Sequence, residues 1–259
     1  MDLDQYLAML SAVDQEKHIS TVPLLDRNDP GFYWIFRNMD YVQWIDGSSQ
    51  VLWLSGPPEC NIHQVSSYIV SQGKDRAQKA KHFVLYFFCS SATRNRSIVT
   101  HFVHTLLRQI VYCSPMDKKI LIFRSFLRGL LEEAFDENAD PTWERRGFNE
   151  NDPPDTNIKN ILKGPAHELL TALGAVLGEE QWSLSLVVDG LDKVERQKEG
   201  FIKEVRTFVN LLQQRNSKVK ILLTSRPLAE IRDLLDGFPC IEHDKERKGS
   251  CTSHFLILN

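Results

Sequence analysis

The feature that most constrains the fold is a series of short apolar runs separated by longer segments with helical periodicity. Each run is nearly continuous in apolar residues, as is typical of strands whose two faces are both covered. We predict five strands: Val51–Leu54, Phe83–Phe88, Leu184–Val188, Val219–Thr224 and Cys240–Glu242. The intervening patterns predict helices at Gln64–Ser71, Ile98–Tyr112, Lys118–Glu133, Ala166–Leu177 and Phe201–Gln214. This alternation predicts an α/β fold with a doubly wound, mainly parallel five-stranded sheet and helices on both faces.

The regions outside the alternation divide the chain into a lead-in, a main domain and a tail. Residues 1–50 predict a helical lead-in, with one amphipathic helix over residues 3–17 and an aromatic-rich helix over Phe32–Ile45. The loop between them contains Asp29-Pro30-Gly31, which is strong turn chemistry. Residues 51–244 form the main domain, and 245–259 predict a frayed tail.

One stretch inside the main domain departs from the pattern. Residues 132–155 contain nine acidic residues, two arginines and three prolines. A segment with so little apolar character and so much charge cannot bury enough surface to order itself. We therefore predict a solvated acidic insertion here.

Composition excludes several classes of protein. The net charge of -3 gives no electrostatic reason to expect nucleic acid as a partner. No run approaches the ~18 apolar residues of a membrane span, and the amino terminus lacks a signal-peptide pattern. The five cysteines follow no disulfide or zinc spacing, so we expect reduced thiols in a cytoplasmic protein. His101 and His104 lack a third ligand and are interpreted as structural, and no G-x-S-x-G hydrolase motif occurs.

The first strand leads through a turn, GPPECNIH, into a helix, which is the context of a phosphate-binding P-loop, G-x-x-x-x-G-K-[ST]. Gly56 fills the first glycine position and Asn61 the second. Ile62 stands at the lysine and His63 at the Ser/Thr. Asn61 tolerates a left-handed backbone, so the turn can survive. Ile62 supplies no cation, Glu59 adds a negative charge, and His63 is a poor ligand for Mg²⁺. If nucleotide binds, we expect the loop to contact it through Gly56, Pro58, Asn61 and His63.

Two further motifs end strands at the same predicted edge of the sheet. In LSLVVDGLDK, Asp189 is placed to hold Mg²⁺ and Asp192 to orient the attacking water, so Asp192 is the candidate catalytic residue. The alternative is a pair of carboxylates that cap the next helix. In KILLTSRP, Arg226 is placed to contact a γ-phosphate, and the equal alternative is a salt bridge to Asp189 or Asp192.

Together these motifs resemble the NACHT-type domain of STAND signalling NTPases, most closely the fungal form related to the nephrocystin-3-like N-terminal domain. The resemblance rests on GFYWIFRNMDYVQWIDGSSQVLWLSG, HFVLYFFCSS, IVTHFVHTLLRQIV, DGLDK and KILLTSRP, and covers about residues 20–244. It implies a molecular switch in which ATP or GTP with Mg²⁺ controls an effector or oligomerisation. By position it assigns the first loop glycine to Gly56, the magnesium aspartate to Asp189, the second acid to Asp192 and the sensor arginine to Arg226. Such proteins continue into a winged-helix module and repeats, so the chain resembles a truncated paralogue or a fragment.

The departures from the family pattern lead to three hypotheses. The first is a non-catalytic signal-transduction module, a pseudoenzyme without cofactor that acts through protein partners. The second is a slow or atypical ATP/GTP switch that uses Asp189, Asp192 and Arg226, with Lys193 as a surrogate cation. The third is a gene product that retains no selected activity.

Overall fold

The structure is a computed structural model, and it describes residues 3–10, 12, 14–20, 32–77, 82–90, 97–134, 154–179, 183–216 and 218–243. Its strands are β1 (Val51–Ser55), β2 (His82–Phe88), β3 (Ser183–Asp189), β4 (Val219–Ser225) and β5 (Cys240–Glu242). All five predicted strands are confirmed, with bounds that shift by one residue or less.

Helices connect the strands and precede the sheet. The lead-in contains α1 (Leu3–Met9), α2 (Glu16–Ser20), α3 (Tyr33–Phe36) and α4 (Met39–Asp46). The main domain contains α5 (Ile62–Ala77), α6 (Ile98–Cys113), α7 (Met116–Ala134), α8 (Pro154–Ile161), α9 (Ala166–Glu179), α10 (Lys198–Arg215) and α11 (Ala229–Leu234). The five helices predicted between the strands are confirmed as α5, α6, α7, α9 and α10.

The sheet has the strand order β2-β3-β4-β1-β5, and every adjacent pair is parallel. From β1 the chain crosses to the far edge of the sheet at β2. It then returns through β3 to β4, which lies beside β1, and finally places β5 on the opposite side of β1. A crevice forms at such a reversal, at the carboxyl ends of the strands. The fold therefore places the turn after β1 beside the ends of β3 and β4.

Alternate residues of each strand contribute to two separate cores. On one face Trp53, Phe87 and Leu223 pack with α6, α7, α9 and α10. On the other face Leu54 and Phe88 pack with α3, α4 and α5. Because both faces are buried, the strands tolerate continuous apolar sequence, which confirms the predicted doubly wound arrangement with helices on both faces.

Side-chain amides satisfy the outer edge of β2. The backbone N–H of Tyr86 donates to Gln109 Oε1 at 2.9 Å, and Gln109 Nε2 donates to the Tyr86 carbonyl at 2.9 Å. Further along the edge, the backbone N–H of Phe88 donates to Gln15 Oε1 at 2.6 Å. Backbone groups that a further strand would pair are thus bonded to α6 and to the lead-in.

The lead-in differs from its prediction in two places. The aromatic-rich helix predicted over Phe32–Ile45 is wrong as one element, because Asn38 adopts an extended conformation (φ -71°, ψ 138°) and accepts from the Asp40 N–H at 2.8 Å. Asn38 therefore caps α4 as a separate helix. The helix predicted over residues 3–17 ends at Met9, and α2 begins where Asp14 Oδ1 accepts from the Glu16 N–H.

Several sequence predictions fall on residues that the structure does not describe. These are the turn Asp29-Pro30-Gly31, residues 135–153 of the acidic insertion, and the tail over 245–259. The ends of the insertion are helical, since α7 extends to Ala134 and α8 begins at Pro154. Among the described helices, none combines the length and apolar character that crossing a lipid bilayer requires.

His104 is a buried residue of α6. Burial lowers the pKa of His104 to about 4, although a hydrogen bond with the Leu162 backbone raises it in part. The histidine is therefore neutral in the native protein and has an ordinary pKa of 6.5 in the unfolded chain. Below that value the unfolded state binds a proton that the native state does not.

We expect the native protein to lose about 2 kcal/mol of unfolding free energy through His104 alone between pH 7.5 and pH 5.0. The sign follows from the lowered pKa, since the contribution is intact above pH 6.5 and is lost as the pH falls towards 4. Urea titrations at both pH values measure the loss, with His104→Gln as the matched variant. The prediction fails if the two proteins lose the same stability over this interval.

Candidate functional site at the carboxyl edge of the sheet

The three motifs found in the sequence converge at one edge of the sheet. In the parallel register Ser55 lies beside Ser225, and Val188 lies beside Leu223. The turn after β1, the DGLD segment after β3 and Arg226 after β4 therefore come together. Their predicted proximity is confirmed.

Backbone N–H groups of the turn after β1 donate to backbone carbonyls of the protein itself. Pro58–Cys60 form a 3₁₀ turn, in which the Cys60 N–H donates to the Pro57 carbonyl at 3.0 Å and the Asn61 N–H donates to the Pro58 carbonyl at 3.2 Å. The Gly56 N–H donates to the Ser225 carbonyl at 3.2 Å. Asn61 adopts the left-handed conformation (φ 52°, ψ 35°), which asparagine tolerates, as expected from the sequence.

Pro58 offers no backbone donor to a phosphate. Proline has no N–H group, and Pro57 before it has none either. A P-loop binds phosphate through a series of inward-directed N–H groups. The paired prolines and the 3₁₀ bonds remove several of these donors.

Side chains fill the inside of the turn. A Cβ atom placed on Gly56 would lie 2.9 Å from Ile62 Cδ1, 3.3 Å from His243 Cβ and 3.5 Å from Cys60 Cβ. Ile62 is buried and belongs to the core beneath α5. The side chain at the lysine position is therefore packed against the turn rather than extended over it.

Asp189 is fully buried and has protein partners on both oxygens. Its Oδ1 accepts from Ser66 Oγ at 2.7 Å and from Thr224 Oγ1 at 2.8 Å. Its Oδ2 lies 3.1 Å from His63 Nδ1 and 3.6 Å from Lys193 Nζ. Burial alone would raise the pKa of Asp189, but the His63 hydrogen bond, the Lys193 charge and the Ser66 hydroxyl outweigh it and hold the pKa below its usual value.

Asp192 and Arg226 form the second ion pair of the site. Arg226 Nε donates to Asp192 Oδ2 at 2.7 Å, and the Arg226 backbone N–H donates to Oδ1 at 3.0 Å. The Asp192 side chain is buried, while the arginine is half exposed. Of the alternatives for Arg226, the structure has the salt bridge, with Asp192 as the partner.

The residues present do not suit a magnesium-bound triphosphate. Isoleucine replaces the ammonium group, histidine replaces the hydroxyl, and the N–H groups of Gly56, Cys60 and Asn61 are bonded to backbone carbonyls. The carboxylate that would face Mg²⁺ accepts from two hydroxyls and is paired with two basic side chains. Within the described part of the chain, no group of three or more His, Cys, Asp or Glu side chains is placed to hold a metal ion.

Sequence reasoning missed four residues of this site. Thr224 ends β4, so the adjacency of the strand ends was a usable signal for its bond to Asp189. Ser66 lies one helical turn beyond Ile62, on a helix whose direction was predictable. Cys60 and His243 had no such signal, because 183 residues separate them and β5 alone brings them together.

Comparison with known proteins gives one partial match. A sequence model of the family "Nephrocystin 3, N-terminal" matches residues 32–145, which is less than half of the chain. The match includes α3, α4, β1, the turn and α5, and ends before Asp189 and Arg226. No curated protein and no solved structure matches the chain. Residues 32–145 are therefore similar to the amino-terminal family of nephrocystin 3.

Proposed function

We propose that the chain is a NACHT-like signalling module of the STAND type that neither binds nor hydrolyses nucleotide and acts through protein–protein contacts. The observation that carries this proposal is the packing of Ile62 against Gly56 inside the turn. A triphosphate needs that space and a cation within it, and an isoleucine side chain supplies neither.

The charges at the sheet edge support the same proposal. His63, Lys193 and Arg226 contact Asp189 and Asp192, so these basic side chains already have acidic partners. A nucleotide phosphate would have to compete with carboxylates that are almost fully buried. Removing a buried carboxylate's partners is costly, because the remaining charge is desolvated and unpaired.

An exposed apolar stripe on α4 supports the protein–protein part of the proposal. Met39, Val42 and Ile45 are 67%, 44% and 37% exposed and follow one another at a three-residue spacing along one side of the helix. The opposite side of α4 buries Tyr41 and Trp44 in the core. A helix with apolar residues on its solvent side as well as its core side is typical of interaction surfaces.

We expect saturating Mg-ATP or Mg-GTP to leave the thermal unfolding midpoint unchanged within about 1 °C. A ligand present at about 100 times its Kd would add about 2.7 kcal/mol to the native state. In a chain of this size that free energy corresponds to a rise of about 5–10 °C. Differential scanning fluorimetry with both triphosphates and both diphosphates makes the measurement, and calorimetry at the same concentrations checks it.

A second candidate function is an atypical nucleotide switch with Lys193 as the surrogate cation. The observation that favours it is the location of Lys193 beside Asp189 at the carboxyl edge of the sheet, where its Nζ lies 3.6 Å from Oδ2 and would have to exchange that carboxylate for a phosphate. In this case one triphosphate would raise the midpoint, and Lys193→Met would abolish the rise. Lys203→Met is the matched control, because Lys203 is an exposed lysine paired with Glu199 on α10.

A further inference from the structure

A thiol and an imidazole meet inside the turn after β1. Cys60 Sγ lies 2.9 Å from His243 Nδ1. His243 is held there because β5 pairs with β1 and the His243 N–H donates to the Ser55 carbonyl at 2.8 Å. The Trp34 ring contacts the imidazole edge-on, with 4.5 Å between ring centroids. The strand pairing and the aromatic contact fix the ring against the thiol.

The position of Cys60 before a helix favours a negative sulfur, whereas its burial and the charge of Glu59 act against it. Cys60 ends the 3₁₀ turn that leads into α5, a helix of 16 residues, and the partial positive charge of a helix amino terminus stabilises a nearby thiolate. Among the described residues, Glu59 adjoins Cys60 in the sequence and Glu242 adjoins His243, and Glu242 is paired with Arg232 at 2.7 Å. Cys60 as a whole residue is 8% exposed, which limits reaction at its sulfur to small reagents.

Burial raises the thiol pKa of each of the other described cysteines. Burial raises the pKa of Cys89 well above its usual value, and burial also raises the pKa of Cys113. Burial and the charge of Glu242 raise the pKa of Cys240 to about 11. These three thiols are internal references for any chemistry at Cys60.

We propose that Cys60 and His243 form a modification site in which the imidazole takes the thiol proton and the thiolate reacts with small oxidants of the peroxide class. The sulfur attacks one oxygen of hydrogen peroxide, and the oxygen–oxygen bond breaks. The leaving hydroxide takes the proton from the imidazolium and becomes water. Cys60 is oxidised by two electrons to a sulfenic acid, and the peroxide is reduced by the same two electrons.

Alkylation of the reduced 259-residue chain tests the pair. Iodoacetamide is added at neutral pH, the reaction is stopped at intervals, and peptide mass spectrometry follows each cysteine. We expect Cys60 to react at least tenfold faster than Cys113, although Cys113 is the more exposed. Brief treatment with hydrogen peroxide followed by dimedone is expected to label Cys60 ahead of the other cysteines.

Two substitutions of His243 test whether its imidazole activates the Cys60 thiol. His243→Phe keeps an aromatic ring beside Trp34, His243→Gln keeps a polar side chain, and both remove the imidazole. We expect each to slow Cys60 alkylation at least tenfold and to leave Cys113 unchanged, with circular dichroism confirming the fold. Equal rates for Cys60 and Cys113 in the parent chain would overturn the proposal, as would unchanged Cys60 reactivity in a folded His243 variant. Nucleotide binding is not part of either readout, so this test is independent of the proposed function.

Discussion

Replacement of Asp189 by alanine is expected to lower the free energy of unfolding by about 3 kcal/mol. The substitution leaves the Ser66 and Thr224 hydroxyls without their buried acceptor. It also removes the anion that pairs with His63 and Lys193, although these side chains are partly exposed and can regain water. Guanidinium titration at pH 7.5 measures the loss. The result matters for function, because it makes the aspartate a structural residue at a position where the family resemblance implies a magnesium ligand.

Asp189→Asn is the matched control for this prediction. Asparagine keeps an acceptor for the two hydroxyls but removes the negative charge, so we expect a smaller loss than for alanine. A stability of Asp189→Ala equal to that of the parent chain would contradict the structural role. It would instead favour an aspartate that is kept for a ligand.

Replacement of Phe102 by alanine is expected to cost about 3–5 kcal/mol. Phe102 on α6 is fully buried, and its ring centroid lies 5.3 Å from Phe87, 5.8 Å from Phe201 and 6.0 Å from Phe208. These rings belong to β2 and α10, so the side chain of Phe102 packs α6 against both the sheet and α10. Its removal loses three aromatic contacts and leaves a cavity that rigid neighbours cannot close.

Tyr112→Ala on the same helix is the control for Phe102→Ala. Tyr112 is an aromatic residue of α6 that is 55% exposed, so its removal is expected to change stability by no more than about 0.5 kcal/mol. Urea titration of the two variants side by side separates core packing from helix propensity. A cost below about 1 kcal/mol for Phe102→Ala would mean that α6 does not pack on the sheet as described.

The strands, and the helices between them, were predictable because a strand that is buried on both faces appears in the sequence as a short apolar run. Leu184–Val188 has one polar residue and Val219–Thr224 has two, and the remaining residues of both runs are apolar, as burial on both faces requires. The break within Phe32–Ile45 was harder to predict, since the aromatic spacing continues across it. The break depends on the side chain of Asn38, which accepts from the Asp40 N–H. An asparagine makes this bond both in loop turns and at helix amino termini, so the sequence alone does not distinguish the two.

The candidate site was predictable in its position but not in its internal bonding. Strand ends in a parallel sheet meet at one edge, so Gly56, Asp189 and Arg226 could be placed together from the sequence. The direction of Ile62 into the turn could not, because it depends on the 3₁₀ geometry of Pro58–Cys60 and on His243 from the far end of the chain. The contacts of Lys193 likewise depend on a left-handed Gly190 (φ 74°).

The glutamine bonds along β2 have a consequence for how copies of this chain behave when concentrated. A primary amide has an N–H donor on the same side as its carbonyl acceptor, so Gln109 bonds both the N–H and the C=O of Tyr86 without extending the sheet. A foreign strand that approached this border would have to displace α6 before it could pair. Cross-β growth, which begins by templating on an unprotected border, is therefore disfavoured on that side of the molecule.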